Sequence, residues 1–157
     1  MKIFIIKLNS FFKFIIKPKK IWRLPKKCDL ILYDSEGFEV LNPYITNFKF
    51  YSFDARGESL NIPCFLKSFF DYDLWKGKFM TAYFRQILKT TSAKLIITFG
   101  DNNEKFYRIS HDNKNKNIKT LFVQNGMRTI YQDIFFTIKK KNEYKVDHML
   151  VFNDSIG

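Results

Sequence analysis

The chain has 157 residues, 46% of them hydrophobic, and a formal net charge of +12. That length suits one sizeable core rather than two complete domains. Cys28 and Cys64 stand apart, with no CxxC and no histidine at ligand spacing, which excludes a structural zinc and argues for reduced thiols.

The charge is unevenly placed. Residues 1–27 hold nine Lys/Arg and no Asp/Glu, whereas residues 28–157 hold 18 basic and 15 acidic residues. The body is close to neutral and carries no RNP, KH or zinc-finger pattern, which argues against a nucleic-acid module. In residues 2–17, Phe4, Ile5, Leu8, Phe11, Phe12, Ile15 and Ile16 follow helical spacing, with Lys2, Asn9, Ser10, Lys13 and Lys17 opposite; Lys7 does not fit, and Ile3, Ile6 and Phe14 interrupt the polar side. Pro18 ends that helix. The apolar runs of the arm are far shorter than the roughly 20 residues that span a bilayer. The expectation is a basic amphipathic arm, 1–27, continued by Lys19, Lys20, Trp22 and Arg23. Its composition fits an interfacial membrane anchor, or a first helix packed on its own domain.

Cys28 to Asp34 predicts the first strand, closed by Ser35-Glu36-Gly37. A helix from Phe38 toward Tyr44 follows, limited by Pro43. Phe48 to Phe53 predicts the second strand, ending at Asp54-Ala55-Arg56-Gly57-Glu58. Pro63 fits the first turn of a helix on which Phe65, Leu66, Phe69 and Phe70 share a face. After Gly77, the spacing of Phe79, Met80, Tyr83, Phe84, Ile87 and Leu88 predicts a helix with a broad buried stripe.

Lys94 to Phe99 and Ile118 to Val123 are short apolar runs ending in Gly100-Asp101-Asn102-Asn103 and Gln124-Asn125-Gly126. With a helix-compatible segment, Glu104 to Ser110, between them, they form a strand, crossover, strand unit. Met127 to Tyr144 permits a further helix, and Val146 to Phe152 predicts a fifth strand. The fold class is α/β: a parallel sheet of about five strands flanked by helices, preceded by the amphipathic helix.

Ligands of such sheets gather outside the carboxyl ends of the strands. That edge would collect Asp34 and Glu36, Arg56 and Glu58, Asp101, Asn102 and Asn103, Gln124 and Asn125, and Asp154. Carboxylates and amides accept from sugar hydroxyls, and Arg56 and Arg128 suit a phosphate or carboxylate. Gly37, Gly57, Gly100 and Gly126 would permit tight turns and close backbone approach. Any one of these residues is equally a turn former or a helix cap; their recurrence at five strand ends carries the argument. GxGxxG, P-loop, HExxH and GxSxG motifs are absent, and no cofactor or metal is expected. His111, in a polar turn, and His148, at the opposite end of its strand, are not candidate bases.

Val123-Gln124-Asn125-Gly126-Met127-Arg128, with Asp133 and the run Val146 to Phe152, and together with Ile97 to Asn103 and Arg56-Gly57-Glu58, resembles the N-terminal half of bacterial surface-carbohydrate biosynthesis transferases. Those proteins have the glycosyltransferase-B fold and are distantly similar to the glycerophosphotransferases that polymerise teichoic acid. The resemblance covers residues 28–157. It implies a Rossmann-like domain on the acceptor side of a cleft, with a nucleotide-activated donor held by a C-terminal domain missing here. It also implies a glycan or lipid-linked acceptor and a cytoplasmic, peripheral place at the inner membrane face, which suits residues 1–27. Glu36, Arg56, Glu58, Asn102, Asn103, Gln124, Asn125, Gly126 and Arg128 would then bind substrate. Where the teichoic-acid relatives carry a histidine base this chain has Asn125, which takes no proton near neutral pH. Either Asp101 is the base, or this half mainly binds. The chain ends at Gly157 where a helix or domain would follow, so a fragment of a longer transferase is expected. The alternatives are a nucleic-acid-binding module and a non-catalytic α/β interaction domain.

Overall fold

The computed structural model describes residues 15–35, 37–100, 106–109, 117–124 and 146–151. The predicted N-terminal helix lies almost wholly outside them; residues 15 and 16 are helical and the backbone bends before and at Pro18. The predicted helix over 127–144 also lies outside them. The chain divides into two compact units, residues 1–27 with 54–92, and residues 28–53 with 93–157.

The second unit is built on β2 (Leu30–Tyr33), β3 (Phe50–Phe53), β5 (Leu95–Thr98), β6 (Lys119–Val123) and β7 (His148–Leu150). They form one five-stranded sheet in the order β3-β2-β5-β6-β7, and every neighbouring pair is parallel. This is the Rossmann-like α/β sheet that the apolar runs predict. All four residues of β2 are buried, as a strand covered on both faces requires. Leu30, Leu32 and Ile97 lie on one face with Leu95, Leu121 and Val123, covered by Phe38, Leu41 and Ile45 of α1 (Phe38–Ile45). On the other face Tyr33 stacks on Phe53 at 5.4 Å and meets Phe106 at 5.6 Å, while Tyr107 meets Phe122 at 6.2 Å. Phe106 and Tyr107 belong to a helical turn at 106–109, where the crossover helix is predicted.

The helix predicted from Phe38 toward Tyr44 is present and ends one residue later, at Ile45, with Pro43 inside it. Pro43 sits exposed, and burial of Ile45 anchors the last turn. The β6–β7 pairing is fixed at its start by Asp147, whose Oδ2 accepts from the Thr120 backbone N–H at 2.8 Å and from Thr120 Oγ1 at 2.9 Å. Burial opposes the charge, but these bonds outweigh it and hold the Asp147 carboxyl below its ordinary pKa.

The first unit holds β1 (Lys19–Ile21), β4 (Ser59–Asn61), α2 (Ile62–Ser68), α3 (Tyr72–Trp75) and α4 (Phe79–Thr91). β1 and β4 pair in parallel, with Lys19 opposite Ser59; neither strand is predicted from the sequence. Buried Asn61 joins these pieces. Its Oδ1 caps α2 by accepting from Cys64 N, its Nδ2 donates to Arg23 O at 2.7 Å, and its own N–H donates to Tyr83 Oη at 2.7 Å. On α4 the predicted stripe is buried through Tyr83, Phe84, Ile87 and Leu88, with Phe79 and Met80 half-buried. The predicted face on Phe65, Leu66, Phe69 and Phe70 is not observed. α2 ends at Ser68, whose hydroxyl turns back to Phe65 O at 2.6 Å, and Leu66 and Phe70 are left exposed.

Candidate functional site at the carboxyl edge of the sheet

Because all five strands run the same way, their carboxyl ends share one edge. The first strand of this sheet, β2, lies between the second, β3, and the third, β5. The segments leaving β2 and β5 therefore diverge, and between them lies the switch point at which open α/β sheets take ligands.

Residues 34–37 leave β2 there. Asp34 has φ 82°, a left-handed conformation that costs a non-glycine residue energy, and its N–H extends the ladder to Phe53 O at 2.8 Å. Gly37 has φ 78° and stands at the amino end of α1. A Cβ there would overlap Phe99 Cγ and Cδ1 and lie 2.5 Å from Phe99 Cβ, so the close approach of this turn to the segment after β5 requires glycine. Thr98, fully buried, ties the same two segments: its hydroxyl donates to Tyr33 O at 3.2 Å and accepts from Gly100 N–H at 3.2 Å. Burial, reinforced by the neighbouring Asp34 charge, pushes the Tyr33 phenol well above its ordinary value, so it stays neutral.

Among the described residues no side chain caps α1. Three of the N–H groups at its start are occupied, with Phe38 donating to Ser35 O and both Val40 and Leu41 donating to Gly37 O. The sequence from β2 into the first turn of α1, Asp34-Ser35-Glu36-Gly37-Phe38-Glu39, carries three carboxylates. Such a stretch disfavours a phosphate, which its negative charge would repel. It favours a ligand that donates hydrogen bonds.

Of the predicted site residues, Gln124 is buried directly after β6, and its N–H adds one rung to the ladder by donating to Leu150 O at 2.9 Å. Arg56 and Glu58 are exposed in the turn between β3 and β4 and belong to the first unit. Gly57 in that turn has φ 79°, as a tight turn needs. Gly100 does not have a positive φ, and among the described residues an added Cβ would meet Thr98 Oγ1 at 3.8 Å. Asp101, Asn102, Asn103, Glu36, Asn125, Gly126, Arg128 and Asp154 lie outside the described residues, as does His111. Sequence reasoning missed Thr98 and Phe99. A hydroxyl residue closing an otherwise apolar strand was the available signal for the first.

Among the described residues no group of three His, Cys, Asp or Glu side chains could hold a metal ion. Among them, too, no helix is long and apolar enough to cross a membrane. Compared with known proteins, the chain matches no family model, no curated protein and no solved structure.

Proposed function

We propose that the sheet unit binds a polyhydroxylated, glycan-type acceptor at its carboxyl edge, as the acceptor-side half of a glycosyltransferase-like enzyme of bacterial surface polysaccharide biosynthesis. The observation that carries the reading is the carboxylate-rich turn after β2, set at the switch point of a parallel sheet. Neutral sugars donate hydroxyl protons to carboxylates, while a nucleotide diphosphate would be repelled there.

In this reading the activated donor is held by a second domain. Asp101 takes the proton from an acceptor hydroxyl as that oxygen bonds the donor's anomeric carbon. The bond from that carbon to phosphate breaks, and the nucleoside diphosphate leaves with the electron pair. Asn102, Asn103, Gln124 and Asn125 orient hydroxyls of the acceptor. Residues 1–27 hold the protein at the cytoplasmic face of the inner membrane, where lipid-linked acceptors reside.

Titration calorimetry with soluble oligosaccharides and, separately, with nucleoside diphosphates tests the reading on the full chain. Saturable binding of an oligosaccharide, weakened about tenfold by Asp34→Asn, is expected, since a hydrogen bond to a charged group contributes about 1.5–3 kcal/mol. Tighter binding of a nucleoside diphosphate than of every oligosaccharide would refute it.

A further inference from the structure

One short stretch of the first unit exposes four large apolar side chains. Leu66 is 57% exposed, Phe70 94%, Tyr72 71% and Trp75 72%. Leu66 lies on α2, Phe70 on the turn that follows, and Tyr72 and Trp75 on α3. Asp71 and Asp73 are drawn onto Arg85, whose Nη1 lies 2.7 Å from Asp71 Oδ1 and whose Nη2 lies 2.6 Å from Asp73 Oδ2. The Trp75 indole N–H donates to Phe69 O at 2.9 Å, and the Phe69 ring packs edge-on against both Phe65 and Trp75.

This arrangement sorts charge as well as shape. The two acidic side chains of the turn are neutralised against Arg85, while Lys67, Lys76 and Lys78 are exposed, Lys76 over the Tyr72 ring at 4.3 Å. Residues 1–27 and 54–92 together hold 15 Lys/Arg against four Asp/Glu, a net +11 of the chain's +12. The exposed aromatics thus stand in the unit that carries nearly all the excess positive charge.

We propose that the α2–α3 turn is a membrane-contact element, seating Phe70, Tyr72 and Trp75 among the headgroups of an anionic lipid surface. Tryptophan and tyrosine with adjacent lysines are the side chains that settle at a bilayer interface. Phe70 has almost no protein neighbours, so it enters a yielding medium more readily than it fits a shaped protein pocket. The internal bond of the Trp75 N–H removes the cost of leaving that donor unsatisfied on insertion. The inference stands apart from the transferase reading and names residues outside the arm at 1–27, although that arm supplies nine of the unit's 15 Lys/Arg.

The chain has two tryptophans, so the full-length Trp22→Phe protein reports on Trp75 alone. Vesicles of mixed phosphatidylglycerol and phosphatidylcholine should shift Trp75 emission to the blue and shield it from an aqueous quencher, and phosphatidylcholine alone should not. Phe70→Ser in that background should weaken partitioning about tenfold, the scale of withdrawing one large apolar side chain from water. Its circular dichroism and Tm should match the parent, because Phe70 is not in the core. A Lys2→Gln/Lys7→Gln/Lys13→Gln variant should still show the Trp75 shift at saturating lipid. Vesicle binding without a Trp75 shift would overturn the proposal by assigning binding to the arm alone. A less than twofold effect of Phe70→Ser would also overturn it. So would failure to bind vesicles, including the case of a dimer that Phe70→Ser makes monomeric.

Discussion

Gly37→Ala is the sharpest perturbation of the carboxyl edge. Two costs add. The first is backbone strain, since φ 78° is left-handed and holding alanine there costs about 1–2 kcal/mol. The second is overlap with Phe99. Rotating the Phe99 ring would clear its Cγ and Cδ1, but its Cβ, 2.5 Å from the new methyl, moves only with the backbone of the segment after β5. Relief therefore means parting α1 from the sheet face it covers through Phe38, Leu41 and Ile45. Overpacking of that kind costs about 1–3 kcal/mol, so the total loss should be about 2–5 kcal/mol. Urea unfolding of wild type, Gly37→Ala, Phe99→Gly and the double variant measures both parts, because Phe99→Gly removes the overlap and leaves the strain. A Gly37→Ala protein within about 0.5 kcal/mol of wild type, the range of an uneventful surface change, would refute the reasoning. Strictly additive losses in the double variant would refute the overlap even if the strain survives.

Tyr83→Phe removes the acceptor of the buried Asn61 N–H and should cost about 1–3 kcal/mol in urea unfolding. Arg85→Ala leaves the nearly buried Asp71 carboxylate without its guanidinium and should cost about 3 kcal/mol near neutral pH. Hydrogen bonding to Arg85 holds the Asp73 carboxyl below its ordinary carboxylate range, so its contribution is present above that range and lost as pH falls through it and below. The gap between wild type and Arg85→Ala, read from urea midpoints, should accordingly narrow as pH falls below about 4. Burial pushes the Cys64 thiol up despite the Thr90 hydroxyl and the Lys67 charge. Alkylation followed by mass spectrometry should therefore label the half-buried Cys28 first, and Cys64 only on unfolding.

The parts of the fold that were legible in the sequence are those in which burial on two sides leaves a continuous record. Leu30 to Tyr33 and Leu95 to Thr98 read as strands because each residue faces one covered side or the other. The stripe of α4 read correctly for the related reason that its period persists over three turns. The same i, i+1, i+4, i+5 spacing misled at Phe65, Leu66, Phe69 and Phe70, because α2 stops after seven residues. Periodicity counts apolar residues without saying where the helix ends. The pairing of β1 with β4 left no trace, since three residues hold no period and what secures it is Asn61, an ordinary helix cap by sequence. At the candidate site, the parallel edge and the acidic residues after β2 could be read. The locking of that edge by Gly37, Thr98 and Phe99 could not, because it depends on which loops the strand order brings side by side.

That strand order also separates two kinds of chemistry within one chain. Nearly all the net positive charge belongs to the unit of residues 1–27 and 54–92, whereas the sheet unit carries a net +1 and three carboxylates between β2 and the first turn of α1. The first invites anions through long-range attraction, and the second invites neutral hydroxyls through short directional bonds. Salt distinguishes them, because at about 0.15 M the Debye length is about 8 Å and attraction between exposed charges beyond it is screened, whereas a hydrogen bond at contact distance persists. Raising ionic strength to about 0.5 M should therefore release the chain from anionic vesicles and leave oligosaccharide affinity within about twofold. Parallel loss of both, followed by cosedimentation and calorimetry on the same preparation, would mean that one charged surface serves both ligands. The division of labour between the units would then be wrong.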